Sequence, residues 1–280
     1  MVSAATYSSI ALGDIRITFL PDGHILFDPM AVFPTTTATD WQHYQHLLDD
    51  NGRLVGSLGA YLIQTPERRI LIDAGFGART FEGSLFKAYS GKLLSSLKLA
   101  GFDPADIDTV FFTHLHSDHV GWIGREINGE QVLTFPNARH LVRSAEWHRF
   151  DDPAVNKAMV ADALNLLEHR IEFLEGGEHL TPEVKILATP GHTAGHASLL
   201  VTVGKERAII LGDTFHSEVL VEHPEWTNAF DSDPEQAKDT RRQMLHELAV
   251  PLTTGVATHI SDFVFGQVTR VQDGFRWQSV

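Results

Sequence analysis

One segment, Thr113-His114-Leu115-His116-Ser117-Asp118-His119, restricts this chain more than any other. It follows FDPADIDTVFF, residues 102–112, which reads as a short helical turn and then a buried strand. On extended backbone His114 and His116 leave the same face, because side chains alternate along a strand. Asp118 and His119 fall in the turn or first helical turn that follows. Three imidazoles and a carboxylate therefore converge at one strand end. Left uncompensated, the cluster would make a poor core and an unusual surface. Neutral imidazole and carboxylate are the donors that suit zinc and its neighbours in the first transition row.

Composition narrows the chemistry further. Cys is absent, so disulfides, thiolate nucleophiles, Cys-type zinc sites and iron–sulfur clusters are excluded, and every ligand must be N or O. With 22 Lys+Arg against 36 Asp+Glu the formal charge is −14, the wrong sign for a phosphate-backbone footprint, so no nucleic-acid partner is expected. No run approaches the ~18 apolar residues of a membrane span. The opening MVSAATYSSIALGD has neither a basic nor an apolar signal region, so a cytoplasmic protein without membrane contact is expected. At 280 residues, folding buries roughly 70–75% of the unfolded chain's surface, enough for a sizeable core. One domain spanning 1–280 is expected, and a homodimer is compatible with it.

Alternation and β-branched content predict strands at 10–19, 59–64, 70–73, 109–113, 132–135, 139–143, 171–174, 184–189, 198–203, 207–211, 255–258 and 268–277. Asp152-Pro153 reads as the start of a helix running to about Glu168. Asp233-Pro234 starts another, with Gln236 completing a capping box and Met244, Leu245 and Leu248 facing inward. Two aromatic-rich stretches, 24–52 and 223–233, look irregular and are candidate substrate-binding or lid loops. The interspersed strands and helices predict a layered α/β fold.

Four donors in six residues cannot complete two metal shells, so further ligands must come from other strand ends. His192 lies in ATPGHTAGH after strand 184–189, Asp213 in ILGDTFH after 207–211, and His259 in VATHISD after 255–258. Each directly follows an apolar β run, where a rigid element can present it.

With these elements the sequence resembles the metallo-β-lactamase-fold hydrolase superfamily. The matching residues are Leu71-Ile72-Asp73-Ala74-Gly75, the His114–His119 cluster, Thr189-Pro190-Gly191-His192-Thr193, Gly212-Asp213 and His259. The segment FPNARHLVRSAEW and Leu20-Pro21-Asp22-Gly23 look like the branch of acyl-homoserine lactonases and methyl parathion hydrolase-type enzymes. The resemblance implies an αβ/βα sandwich of two mixed β-sheets flanked by helices, with a dinuclear metal centre at the sheet edge. His114, His116 and His192 would hold one divalent ion; Asp118, His119 and His259 the second, with Asp213 bridging. Zinc is the default for such donors, and manganese, cobalt or iron suit similar ones. Two departures stand out. His216 occupies the position three after the bridging Asp where lactonases often place Tyr, and Trp122 stands where many relatives have a second Gly.

Two ions ~3.5–4 Å apart can share an acidified water, and a metal-bridging hydroxide would attack an ester-like carbonyl. Asp118 could orient it and pass its proton to the leaving group, and His216 could donate to the substrate oxyanion. The expected activity is therefore metal-dependent hydrolysis of a small-molecule substrate, an acyl-homoserine-type lactone first. Phosphotriesters come second and glyoxalase II-type thioesters third, the last weakened by the lack of a basic cluster for an anionic carrier. A mononuclear-iron persulfide dioxygenase is the reading from another class. A diiron flavoprotein is disfavoured because no Glu lies in the cluster and there is no room for a flavin domain. A metal-dead binding protein is disfavoured because all seven ligand positions are filled. Asp73 could hydrogen-bond a ligating imidazole or cap its strand. His196 is expected to be structural, and His24, His43, His46, His140, His148, His169, His179, His223 and His246 to lie at the surface.

Overall fold

The computed structural model describes residues 2–272 and 274–280. Its strands are rich in apolar residues on both faces, and that pattern demands cover on two sides. In Arg69–Ile72, Ile70 and Ile72 face one core and Leu71 the other. In Ala197–Val203, Leu199 and Val201 point inward and Leu200 outward. Two sheets stacked face to face, each with helices outside, satisfy both requirements.

Among the described residues the first sheet has nine strands. Thr109–Phe111 lies two strands in from one edge, parallel to Arg69–Ile72 on one side and to Arg139–Arg143 on the other. The long strands Leu54–Gln64 and Ile15–Phe27 continue the sheet antiparallel, with a register shift between Pro21 and Gly23. The second sheet has seven strands, antiparallel except where Glu206–Ile210 pairs parallel to Thr253–Val256. Phe19, Tyr61, Ile72 and Phe111 of the first sheet pack on Ile186, Leu199, Val201 and Ile210 of the second. Helices Leu93–Leu99 and Ala161–Leu167 cover the outer face of the first sheet. Helix Pro234–Leu248 covers the second through Met244, Leu245 and Leu248. This is the expected αβ/βα sandwich.

Several expected boundaries move for local reasons. Strand 10–19 is two strands, Ser8–Leu12 and Ile15–Phe27, because Gly13 takes a positive φ of 53° in the turn between them. The expected helix from Asp152 begins only at Ala161. Asp152 and Asn156 turn their side-chain oxygens onto the amides of Ala154 and Ala158, and these local turns displace helical bonding. The cap at Asp233 forms, accepting from Gln236 N, yet the capping box stays half made: Asp233 N donates to Gly191 O instead. The stretch 24–52 is less irregular than expected. Residues up to Phe27 continue a strand, and short helices Pro29–Val32 and Ala38–Trp41 bury Val32, Phe33 and Trp41 in the core.

Candidate metal centre

All seven expected ligands, and His216 with them, meet at one end of the two sheets. Thr109–Phe111 delivers the loop carrying His114 and His116, and the one-turn helix Ser117–Val120 carries Asp118 and His119. The loops after Val184–Ala188, Glu206–Ile210 and Thr253–Val256 bring His192, Asp213 and His259. Their donor atoms fall into two sets, each within 4.8 Å: His114, His116, His192 and Asp213; and Asp118, His119 and His259. Asp213, His216 and His259 form a third, overlapping set.

Asp213 is the hub. Its Oδ1 is 3.2 Å from His119 Nε2, and its Oδ2 is 3.3 Å from His259 Nε2, 3.5 Å from His192 Nε2 and 3.7 Å from His114 Nε2. Donors about 2.1 Å from one ion, at angles between right and tetrahedral, stand roughly 3.0–3.4 Å apart; the two shorter spacings fall in that range and the two longer ones just beyond it. The nitrogens His114 Nε2 and His119 Nε2 and the oxygen Asp213 Oδ1 are buried without any hydrogen-bond partner. Such orphans are costly unless something else satisfies them. The donor set therefore fits two divalent ions.

At His114, His116 and His192 protonation agrees with that fit, whereas at His119 and His259 burial is outweighed by Asp213 and the neighbouring carboxylates, which raise both rings. Burial, reinforced by neighbouring imidazoles, holds His114 and His116 well below the ordinary histidine range. Burial does the same at His192 against the pull of Asp213. These three rings are neutral and keep a lone pair to share. Burial alone would push Asp213 up, but His119, His259, His216 and His114 outweigh it and hold it well below the usual carboxylate range.

Three of the five clustered imidazoles are fixed from behind. His119 Nδ1 donates to Asp73 Oδ2 at 2.8 Å, and Asp73 also accepts from Thr113 N and Oγ1. His259 Nδ1 donates to Ser57 O at 3.0 Å, while Ser57 Oγ donates to Ile260 O. His192 Nδ1 donates to Asp231 Oδ1 at 3.2 Å. With Nδ1 acting as donor, Nε2 is left free to bind metal. Of these partners only Asp73 is expected from sequence. His196 is structural, as expected: its Nε2 accepts from Asp213 N at 2.9 Å, placing the hub's backbone. Trp122 donates Nε1 to buried Asp22, which also accepts from Phe76 and Leu93 amides, so the Gly-to-Trp departure pins the loop behind the cluster. His140 lies buried in the first sheet, not at the surface.

Glu146 is a further residue that sequence reasoning missed. Fully buried, it accepts from Leu115 N at 2.9 Å and from Thr193 Oγ1 at 2.6 Å, and pairs with Arg149 Nε at 2.9 Å. It ties the loop of His114 and His116 to that of His192. Its only sequence signal is an acid in the apolar context after strand Arg139–Arg143.

Above the donors opens a cavity of about 210 Å³. Ile25, Phe27, Phe86, Phe150, Met159, Val160 and Phe230 line it, with Ser117, Arg149 and Asn156 as polar groups beside the ligands and His216. Of the two expected substrate loops, 24–52 contributes Ile25 and Phe27 from a strand, and 223–233 contributes Phe230. His216 stacks between Phe230 (5.8 Å, 23°) and His259 (5.4 Å, 26°), with Nε2 3.2 Å from Asp213 Oδ2.

Residues 59–259 match the family model described as the metallo-beta-lactamase superfamily. An N-acyl homoserine lactonase from a Bacillus species is 27% identical over 209 residues, covering 70% of this chain and 74% of the relative. One from Bacillus cereus is 26% identical over 212 residues, with the same coverage. Among solved structures, hydrolase AbOPH of the beta lactamase superfamily superposes with a TM-score of 0.81 at 28% identity, covering 99% of this chain and 98% of its own. AidC, a dizinc quorum-quenching lactonase in complex with a product, shares the fold with a TM-score of 0.83 at 24% identity and the same coverage.

Proposed function

Since the chain belongs to the metallo-beta-lactamase superfamily, we propose that its cleft hydrolyses N-acyl homoserine-type lactones with two zinc ions held by the donors above. One juxtaposition carries this reading: a floor of seven metal-binding side chains under a mostly apolar cavity. A lactone with an acyl tail matches that division, the ester over the floor and the tail against Phe27, Phe86, Phe150 and Phe230. Arg149 and Asn156 line the same cavity and offer polar groups to the amide that joins tail and ring. The lactonase names of the similar Bacillus proteins support the same substrate class.

Bound ions would supply Lewis acidity, acidifying water and polarising the ester carbonyl. Asp118, with 19% of its side chain exposed, lies 3.4 Å from His259 and at the cavity edge. It takes the proton of the attacking water and returns it to the ring oxygen as the lactone opens, so the product is a hydroxy acid. His216 lines the same cavity and donates to the carbonyl oxygen as negative charge develops on it. Apolar walls exclude bulk water and strengthen both interactions.

The test is a panel of acyl-homoserine lactones, phosphotriesters, thioesters and β-lactams on zinc-reconstituted protein. Lactone opening should dominate, should stop on chelation, and should vanish in Asp213→Ala together with at least one bound zinc. Turnover that survives chelation, or fewer than about one zinc per chain, would sink the reading.

A further inference from the structure

Arg241 lies in the middle of helix Pro234–Leu248 and is 1% exposed, the largest fully buried side chain described. Its guanidinium makes three good contacts. Nε donates to Pro224 O at 3.1 Å, Nη2 to Trp226 O at 2.9 Å and Nη1 to Asp231 Oδ2 at 2.9 Å. Asp231 is itself enclosed, and its other oxygen accepts from His192 Nδ1. A chain of three side chains thus runs from the outer helix to a metal ligand.

Stability alone does not account for this chain. Desolvating a guanidinium and a carboxylate costs several kcal/mol per ion, and well-packed apolar replacements of buried pairs are often neutral or better. The site sits among Ala237, Met244 and Leu245, where a Leu or Met side chain would have suitable apolar neighbours. What an apolar residue could not do is grip two loop carbonyls and a carboxylate at fixed angles.

The structure assigns Arg241 and Asp231 a positioning role with two outputs. Through Asp231, Arg241 holds His192 in the Nδ1–H tautomer, with Nε2 turned to the donor cluster. Through Pro224 and Trp226 it holds the loop 223–233, which places Phe230 against His216 and Phe27. Two backbone bonds join the outputs: Ser232 N donates to His192 O and Asp233 N to Gly191 O, both at 2.9 Å. Metal retention and the shape of the acyl wall are therefore set by one clamp. The first output rests on His192 as a metal ligand and not on the substrate; the second, read through acyl-chain length, rests on the lactone reading.

Zinc affinity, measured by competition with a chromophoric chelator, tests the first output without any turnover. Asp231→Asn keeps the shape but puts an amide where a carboxylate joins two donors. It should weaken zinc binding by 10- to 100-fold while leaving the KM for a long-chain substrate within about 2-fold. Arg241→Met should weaken zinc similarly and also raise the long-chain KM at least 5-fold relative to a short-chain one. Arg241→Lys, which retains charge for Asp231 but loses the fork, should recover part of the zinc affinity and none of the KM; it also serves if Arg241→Met does not fold. His192→Ala is the control. If it leaves zinc affinity unchanged, the ligand reading fails. If it weakens zinc while folded Asp231→Asn binds within 3-fold of the parent, the positioning role is refuted. An unchanged long- to short-chain KM ratio in both Arg241 variants overturns the second output.

Discussion

Replacing Asp73 by Asn isolates what a carboxylate behind His119 contributes. Asp73 sits at φ 62°, a left-handed conformation that Asn tolerates, so the backbone need not change. The side chains match in volume, and the position is 3% exposed. Asn can keep its oxygen on Thr113 N, where Asp73 Oδ1 now accepts at 2.8 Å. Its amide nitrogen then falls at Oδ2, which accepts from both Thr113 Oγ1 and His119 Nδ1. The threonine hydroxyl can rotate to accept; the imidazole N–H cannot. His119 must leave a buried N–H facing an N–H, or move its proton to Nε2 and surrender the lone pair that a metal needs. Losing a hydrogen bond to a charged acceptor costs about 1.5–3 kcal/mol. Disturbing a partner of a ligating histidine lowers metal affinity by roughly 10- to 100-fold. The variant should fold, lose about that stability in urea, and release its more weakly held zinc to a chelator at 10- to 100-fold lower competitor concentration. Two zinc ions bound within 3-fold of the parent's affinity would refute the reasoning.

Other perturbations test the surrounding structure. His140, buried with Nε2 unpartnered, is pushed down to about 4 by burial and then by Arg170. Its folded value lies below the unfolded ~6.5, so only the unfolded chain takes up the proton between them; stability is intact above ~6.5 and falls as pH drops towards 4, by up to about 3 kcal/mol. His140→Phe should flatten that part of the urea-midpoint profile, and an unchanged slope would exclude the assignment. At Gly195 an added Cβ would stand 2.0 Å from Glu146 N and 2.3 Å from its Cα. Gly195→Ala should therefore cost about 3 kcal/mol, the upper end for overpacking, and lower the melting temperature by roughly 6–12 °C. A shift under 2 °C would mean that the contact between the His192 loop and helix Ser144–His148 relaxes freely.

The converging donors are readable from sequence for a reason the layering supplies. Helices and the opposite sheet bury both faces of the central strands, so a polar side chain can be presented only where a strand ends. Val110, Phe111 and Phe112 precede His114, Ile209 and Ile210 precede Asp213, and Val256 and Ala257 precede His259. In each case the first strong donor after an apolar run marks the strand's exit into the cleft. The groups behind the rings carry no such mark. Asp231 is 39 residues from His192, Ser57 is 202 from His259, and Glu146 is 31 from Leu115. Ser57 lies within the buried run Leu54–Ile63, where one hydroxyl looks like tolerated polarity. Arg241 shares a helical face with Met244 and Leu245, so periodicity counts it as a surface exception. The stacking of the two sheets, the pairing of Arg139–Arg143 with Thr109–Phe111 and the return of Pro234–Leu248 over the second sheet bring these groups to the donors. Local mistakes have the opposite cause: at Gly13, Asp152 and Asn156 short-range turn chemistry overrides a longer apolar pattern. The identity of the donors is thus local information and their orientation is tertiary. Substitutions at Asp73, Asp231 or Arg241 should accordingly change how tightly metal is held while every ligand remains in place.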